Sequence, residues 1–129
     1  MQYISQQDLY NTARGKKLYA IPYDLRPRKQ FEACHVMRAW NLDILSLDID
    51  LNKIKASKEA SIEFLKQVPG FDKVQKRFEV NVYLISGKQT EVFLEDIRAI
   101  FGNSISPSRI FALDVEREDE EEDTIQISQ

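Results

Sequence analysis

A chain of 129 residues, 43% apolar and 30% charged, is long enough to bury a core without disulfides or metal and short enough to be one domain. Its formal net charge of −3 and pI of about 5.2 argue against a protein whose whole surface binds nucleic acid, though not against a local basic patch. Cys34 is the only cysteine, Met1–Ser5 lacks the basic-then-apolar order of a signal peptide, and no apolar run approaches the roughly 18 residues that span a bilayer; the expectation is a cytoplasmic protein with no intramolecular disulfide and no membrane partner.

Ser5 to Arg14 reads as a short helix, with Ser5 able to accept a free backbone N–H and Gly15 able to end the helix in the left-handed conformation. Lys17 to Asp24 reads as a strand. Pro22 cannot donate to a ladder, which points to an edge, a bulge or a strand end near Ala20. Pro27 suits the start of a helix from Arg28 to about Trp40, with Ala33, Val36, Met37 and Trp40 on its apolar face. Phe31, Cys34, His35 and Arg38 fall on the other face. Asp43 to Asn52 alternates, with Leu45, Leu47, Ile49 and Leu51 on one side and Ser46, Asp48, Asp50 and Asn52 on the other, which predicts a half-buried strand.

Ser57 caps a helix whose Ser61, Phe64, Leu65 and Val68 share a side, and Pro69-Gly70 stops it. Phe78 to Ser86 alternates again, with Phe78, Val80, Val82 and Leu84 inward. After Gly87-Lys88, Thr90 opens a helix that aligns Phe93, Ile97 and Ile100 and ends at Gly102; a hairpin is the rival reading. Arg109 to Glu116 is the last strand, with Phe111, Leu113 and Val115 inward.

Without the helices at Ser5–Arg14 and after Ser57, this order is βαββαβ. The predicted fold is therefore α+β, a ferredoxin-like split βαβ with an antiparallel sheet, an extra N-terminal helix and an extra helix between strands 2 and 3. A three-layer α/β sandwich is the alternative. The domain is placed at 1–116, with 117–129 as an acidic flexible tail.

Charge is strongly segregated. Glu118, Asp119, Glu120, Glu121, Glu122 and Asp123 follow Asp114 and Glu116 with only Arg117 against them. Arg14, Lys16, Lys17, Arg26, Arg28 and Lys29 make the first third basic. Each end can steer a different partner, or the two can meet. The basic segment is interleaved with Tyr19 and Tyr23, a combination that binds single-stranded nucleic acid by charge and stacking. The face of Phe31, His35 and Arg38, rimmed by Arg28 and Lys29, has the composition of an interface anchor.

Asp24, Asp48, Asp50 and Asp114 sit on or at the ends of predicted strands; if those strands were neighbours, their oxygens would suit Mg²⁺ and water activation. Alternating Asp on a wet sheet face explains the same pattern. His35 and Cys34 are adjacent, so on a helix they diverge by about 100°, and one pair falls short of a zinc site. No metal or other cofactor is called for.

Leu18-Tyr19-Ala20-Ile21-Pro22-Tyr23-Asp24-Leu25, followed by a basic helix start, resembles the opening of the small ferredoxin-like nuclease subunit of CRISPR adaptation complexes. The resemblance covers roughly ten residues. It implies a metal-binding role for Asp24. The preceding helix, the long insertion between strands 2 and 3 and the acidic tail depart from that pattern, and the activity is not carried over.

The functional expectation is a non-enzymatic protein-binding regulatory or accessory module that docks by charge steering. A phage- or plasmid-type accessory protein attaching to host transcription or replication machinery fits this size and polarity. The alternatives are a single-stranded nucleic-acid-binding domain and a Mg-dependent nuclease. An exposed sheet edge neither requires nor prevents pairing of two copies, so the oligomeric state stays open.

Overall fold

The computed structural model describes residues 2–3, 5, 20–36, 38–77 and 80–114. The predicted helix at 5–14 and the acidic tail at 117–129 lie outside these residues, apart from Ser5. Within them the strands are β1 (Gln2–Tyr3), β2 (Ala20–Asp24), β3 (Trp40–Asn41), β4 (Asn81–Ser86) and β5 (Ile110–Asp114). The helices are α1 (Arg28–Ala33), α2 (Leu51–Lys55), α3 (Lys58–Leu65), α4 (Phe71–Lys76) and α5 (Leu94–Gly102), with 3-10 turns at Ile44–Ser46, Glu91–Phe93 and Pro107–Arg109.

The strands form one sheet in the order β1-β5-β4-β2-β3, and every pairing is parallel. This overturns the antiparallel ferredoxin-like prediction. The cause is visible in the strands themselves. Parallel strands are buried on both faces and read as continuous apolar runs. In β4, Val82, Tyr83, Leu84, Ile85 and Ser86 are all buried, and in β2 all five residues are. An inward-outward alternation does not describe either strand.

The two faces carry separate cores. On one, Ile21, Tyr23, Leu25, Val82, Leu84, Ile110 and Ala112 pack against Leu65, Val74, Ile97, Ile100 and Phe101 from α3, α4 and α5. Phe101 meets Tyr23 at 5.6 Å and Phe71 at 5.5 Å between ring centroids, tilted and edge-on geometries that aromatic rings favour. On the other face, Ala20, Tyr83, Ile85 and Leu113 pack with Val36 and Ala39 from the β2–β3 connection.

Several local predictions hold. Ser57 Oγ accepts the Ala60 N–H at 3.1 Å and starts α3. The segment after Thr90 is helical, entered through a 3-10 turn, and ends at Gly102. Thr90 Oγ1 accepts the Gly87 N–H rather than capping the helix.

The helix capped by Ser57 ends at Leu65, short of the predicted stop at Pro69-Gly70. Two larger predictions also fail. The helix from Arg28 stops at Ala33 instead of reaching Trp40, because Cys34 turns extended at φ −170° and Trp40–Asn41 are drawn into the sheet beside β2. Asp43–Asn52 is not a strand: it is a 3-10 turn, an extended stretch and the start of α2, with Asp50 as N-cap accepting from the Asn52 and Lys53 amides.

Pro22 is explained by strand parity. In a parallel ladder the N–H and C=O of one residue point the same way. Leu25 N–H donates to Ile85 on the β4 side, whereas Asp24 C=O accepts from Leu42 on the β3 side. Pro22 therefore faces the β3 side, where β3 pairs only with Tyr23 and Asp24. Its missing donor costs no ladder bond.

Candidate functional site

The strand order reverses between β2 and β4, and in open α/β sheets ligands gather outside the carboxyl ends of the strands at such a switch point. Asp24 ends β2 there and is fully buried. Its carboxylate is occupied from within the chain. Arg26 Nε donates to Oδ1 at 3.0 Å, Arg26 Nη2 to Oδ2 at 2.8 Å, and the Arg26 amide to Oδ1 at 3.0 Å. The same Nη2 donates to the Cys34 carbonyl at 2.6 Å, and Asn41 Nδ2 donates to the carbonyls of Asp24 and Arg26. Asp24 thus ties together the end of β2, the end of α1 and β3. Fork-shaped Arg–carboxylate pairing of this kind is strong and directional.

Asp48 is exposed in the stretch before α2, Asp50 caps α2, and neither lies on a strand beside Asp24. Among the described residues no group of three or more His, Cys, Asp or Glu side chains is arranged to hold a metal ion.

The residues singled out as an interface face are divided. Phe31 and His35 stay together, their rings stacked at 3.9 Å and 14°, with His35 Nδ1 donating to the Phe31 carbonyl at 2.7 Å. Arg28 and Lys29 are exposed at the start of α1, and Arg28 pairs with Glu32 one turn on. Arg38 is off the helix altogether, exposed with left-handed backbone at φ 70°. Of the nucleic-acid set, Tyr23 is fully buried with its hydroxyl donating to the Pro69 carbonyl, and Arg26 is held by Asp24. Arg14, Lys16, Lys17, Tyr19 and the tail from Glu118 to Asp123 lie outside the described residues.

A different surface stands out. Leu45, Leu47 and Ile49, expected to be buried, are 47%, 39% and 40% exposed. They line a groove of about 420 Å³ with Phe93 as a further apolar wall and Asp50 and Asp96 as polar ones. Val92, next to Phe93 in the chain, is 71% exposed. Contiguous apolar exposure of this kind marks an interaction surface more often than scattered single residues do. Carboxylates surround it: Asp48 sits between two lining residues, and Glu91 and Glu95 flank Val92 and Phe93 in the chain. Lys55 of α2 is paired with Asp96.

The sequence carried a signal for this groove. The Asp-Leu-Asn-Lys start of a helix at Asp50 is incompatible with a strand through Asn52, and breaking that strand frees Leu45, Leu47 and Ile49 from a sheet face.

Among the described residues no helix is long and apolar enough to cross a membrane. No protein-family model and no curated protein sequence matches the chain.

Proposed function

We propose that the protein is a non-enzymatic binding module that docks a partner protein in the groove lined by Leu45, Leu47, Ile49 and Phe93. The occupant is a basic amphipathic segment. Its apolar face would cover the leucines and isoleucine, and its lysines or arginines would meet Asp48, Asp50 and the neighbouring glutamates. The observation that supports this reading is the exposure of three alternate apolar side chains beside a carboxylate rim. Apolar burial would supply most of the affinity, and the rim would speed encounter and exclude acidic competitors. A helix laid in a groove by spaced apolar anchors is a common form of such recognition.

Burying the exposed two-fifths of Leu47 and Ile49 is worth roughly 1 kcal/mol each. Charged substitutions there should cost more, because they also add like charge to an acidic rim. The test is affinity capture from nuclease-treated lysate with the natural chain and with a Leu47→Asp, Ile49→Asp variant, followed by competition with a synthetic leucine–lysine amphipathic peptide. A stoichiometric protein held by the natural chain, lost from the variant and displaced by the peptide is the expected result. Equal retention by both chains would place the interface elsewhere.

A further inference from the structure

A second cleft, of about 200 Å³, opens on the β2 edge beyond β3. Its floor is the stretch Ala20–Pro22, which β3 does not reach. Arg38, Trp40, Gly70 and Lys73 form its walls. No ion pair holds Arg38 or Lys73 among the described residues, and both are exposed. Trp40, the only tryptophan of the chain, is 47% exposed. The two described residues with left-handed backbone, Arg38 and Gly70, both line this one cleft. A left-handed non-glycine residue carries a local cost that persists only where the surroundings hold it. At Gly70 a Cβ would sit 3.2 Å from Trp40 Nε1, so the glycine also permits the indole to lie close along the α4 start.

We propose that this cleft seats one nucleotide of a single-stranded nucleic acid, its base against the Trp40 indole and its flanking phosphates between Arg38 and Lys73. The chemistry is that of single-strand recognition, an aromatic platform beside backbone-tracking cations. Size decides between a strand and a free small molecule. Pockets that engulf a small ligand run to about 300–1,000 Å³, and this one holds only part of an extended ligand. In the sequence, the floor residue Ala20 follows the basic run Arg14, Lys16 and Lys17. Pro22 removes the donor that an added peptide strand would need at the centre of the open edge, which disfavours a β-strand peptide as occupant.

Trp40 makes the test direct. The full chain is titrated with single-stranded oligothymidylate of about 12 nucleotides, a length matched to common single-strand sites, and tryptophan fluorescence is followed. Saturable quenching is expected, with affinity falling as salt rises. An Arg38→Asn, Lys73→Gln variant keeps the fold, since both side chains are exposed and asparagine tolerates the left-handed backbone. It should flatten the slope of log affinity against log salt by about 1.4, the share of two phosphate contacts to a single strand. The Trp40 variants lack the only tryptophan, so their binding is read from the fluorescence anisotropy of an end-labelled oligothymidylate. Trp40→Ala should weaken binding by roughly 5- to 150-fold, the span of one lost base–aromatic stack, and Trp40→Phe should restore part of it. The inference is overturned if no quenching occurs, if the salt slope is unchanged in the double variant, if thymidine monophosphate binds as tightly as the strand, or if polyglutamate quenches as well as the oligonucleotide. The groove at Leu47 and Ile49 shares no lining residue with this cleft, so the Leu47→Asp, Ile49→Asp variant should bind the oligonucleotide normally whatever becomes of its protein partner.

Discussion

Tyr23 shows how a residue suited by type to ligand contact is committed to structure. It is fully buried, and its hydroxyl donates to the Pro69 carbonyl at 2.7 Å. Burial pushes the phenol well above its ordinary value, and the nearby charge of Asp72 adds to the shift. An unfolded chain titrates this group near pH 10. Below that pH it is protonated in both states and its stabilising contribution is complete. As pH rises beyond about 10, the unfolded chain releases the proton while the folded one keeps it, so stability falls toward the folded value. The expected outcome is a urea midpoint that drops between about pH 9 and pH 11 in the natural chain and drops less in Tyr23→Phe. The variant should also lose about 1 kcal/mol at neutral pH with the Pro69 hydrogen bond. An equally steep alkaline drop in the variant would assign the effect to another group. Asp24 is committed in the same way: its side chain has the type of a metal ligand, but Arg26 already satisfies it.

At the scale of elements, the best-read pieces are those with local chemistry at their ends. Ser57 is one. Its Oγ serves a free amide at the start of α3, and Ser61 one turn later donates to the Ile54 carbonyl while accepting from Asn103 Nδ2. Helix α3 is thereby fastened to α2 and α5. Ser57→Ala should cost about 1 kcal/mol, read as a shifted urea midpoint with an unchanged slope; a larger loss with a changed slope would mean the α2–α3 pair unfolds on its own. Where no such cap decides, periodicity misled. The alternation in Asp43–Asn52 fits a strand, yet the Asp50 cap outweighs it locally and the leucines are left exposed. The apolar face from Ala33 to Trp40 fits a helix, yet the Asp24–Arg26–Cys34 contacts end α1 early and hand Trp40 to the sheet. The Arg26–Cys34 contact bridges eight residues and the Asn41–Asp24 bond seventeen, spacings that neither a helical nor a strand period announces. The parallel pairing is likewise hidden from local pattern. The continuous apolar runs of β2, β4 and β5 were present, but alternate residues within them satisfy a period of two just as well. Helical spacing puts Phe31 and His35 beside Arg38, whereas α1 ends at Ala33 and Arg38 lies beyond it with left-handed backbone.

For the whole molecule, the sheet is strong at its centre and thin at both margins. β4 lies between β2 and β5, with Val82, Leu84 and Ile85 wholly shielded, whereas β1 and β3 are two residues each. Amides with little surrounding apolar packing open locally at low cost, and binding sites are drawn from such regions. Both proposed surfaces sit there: the groove on the exposed stretch between Ile44 and Leu51, the cleft against Trp40. Hydrogen exchange should therefore be graded. Amides of Val82 to Ile85 should exchange only through global unfolding, a cost of about 5–15 kcal/mol for a domain of this kind. Those of Trp40–Asn41 and of Leu45–Ile49 should exchange orders of magnitude faster. Saturating oligothymidylate should slow exchange at Trp40–Asn41 and leave Leu45–Ile49 unchanged, because a ligand raises the opening cost only of the segments it touches. Exchange at β3 as slow as at β4 without ligand would show a continuous rigid sheet and remove the basis for placing function at its margin. Slowing at Leu45–Ile49 along with Trp40 would instead show that the two surfaces are energetically coupled.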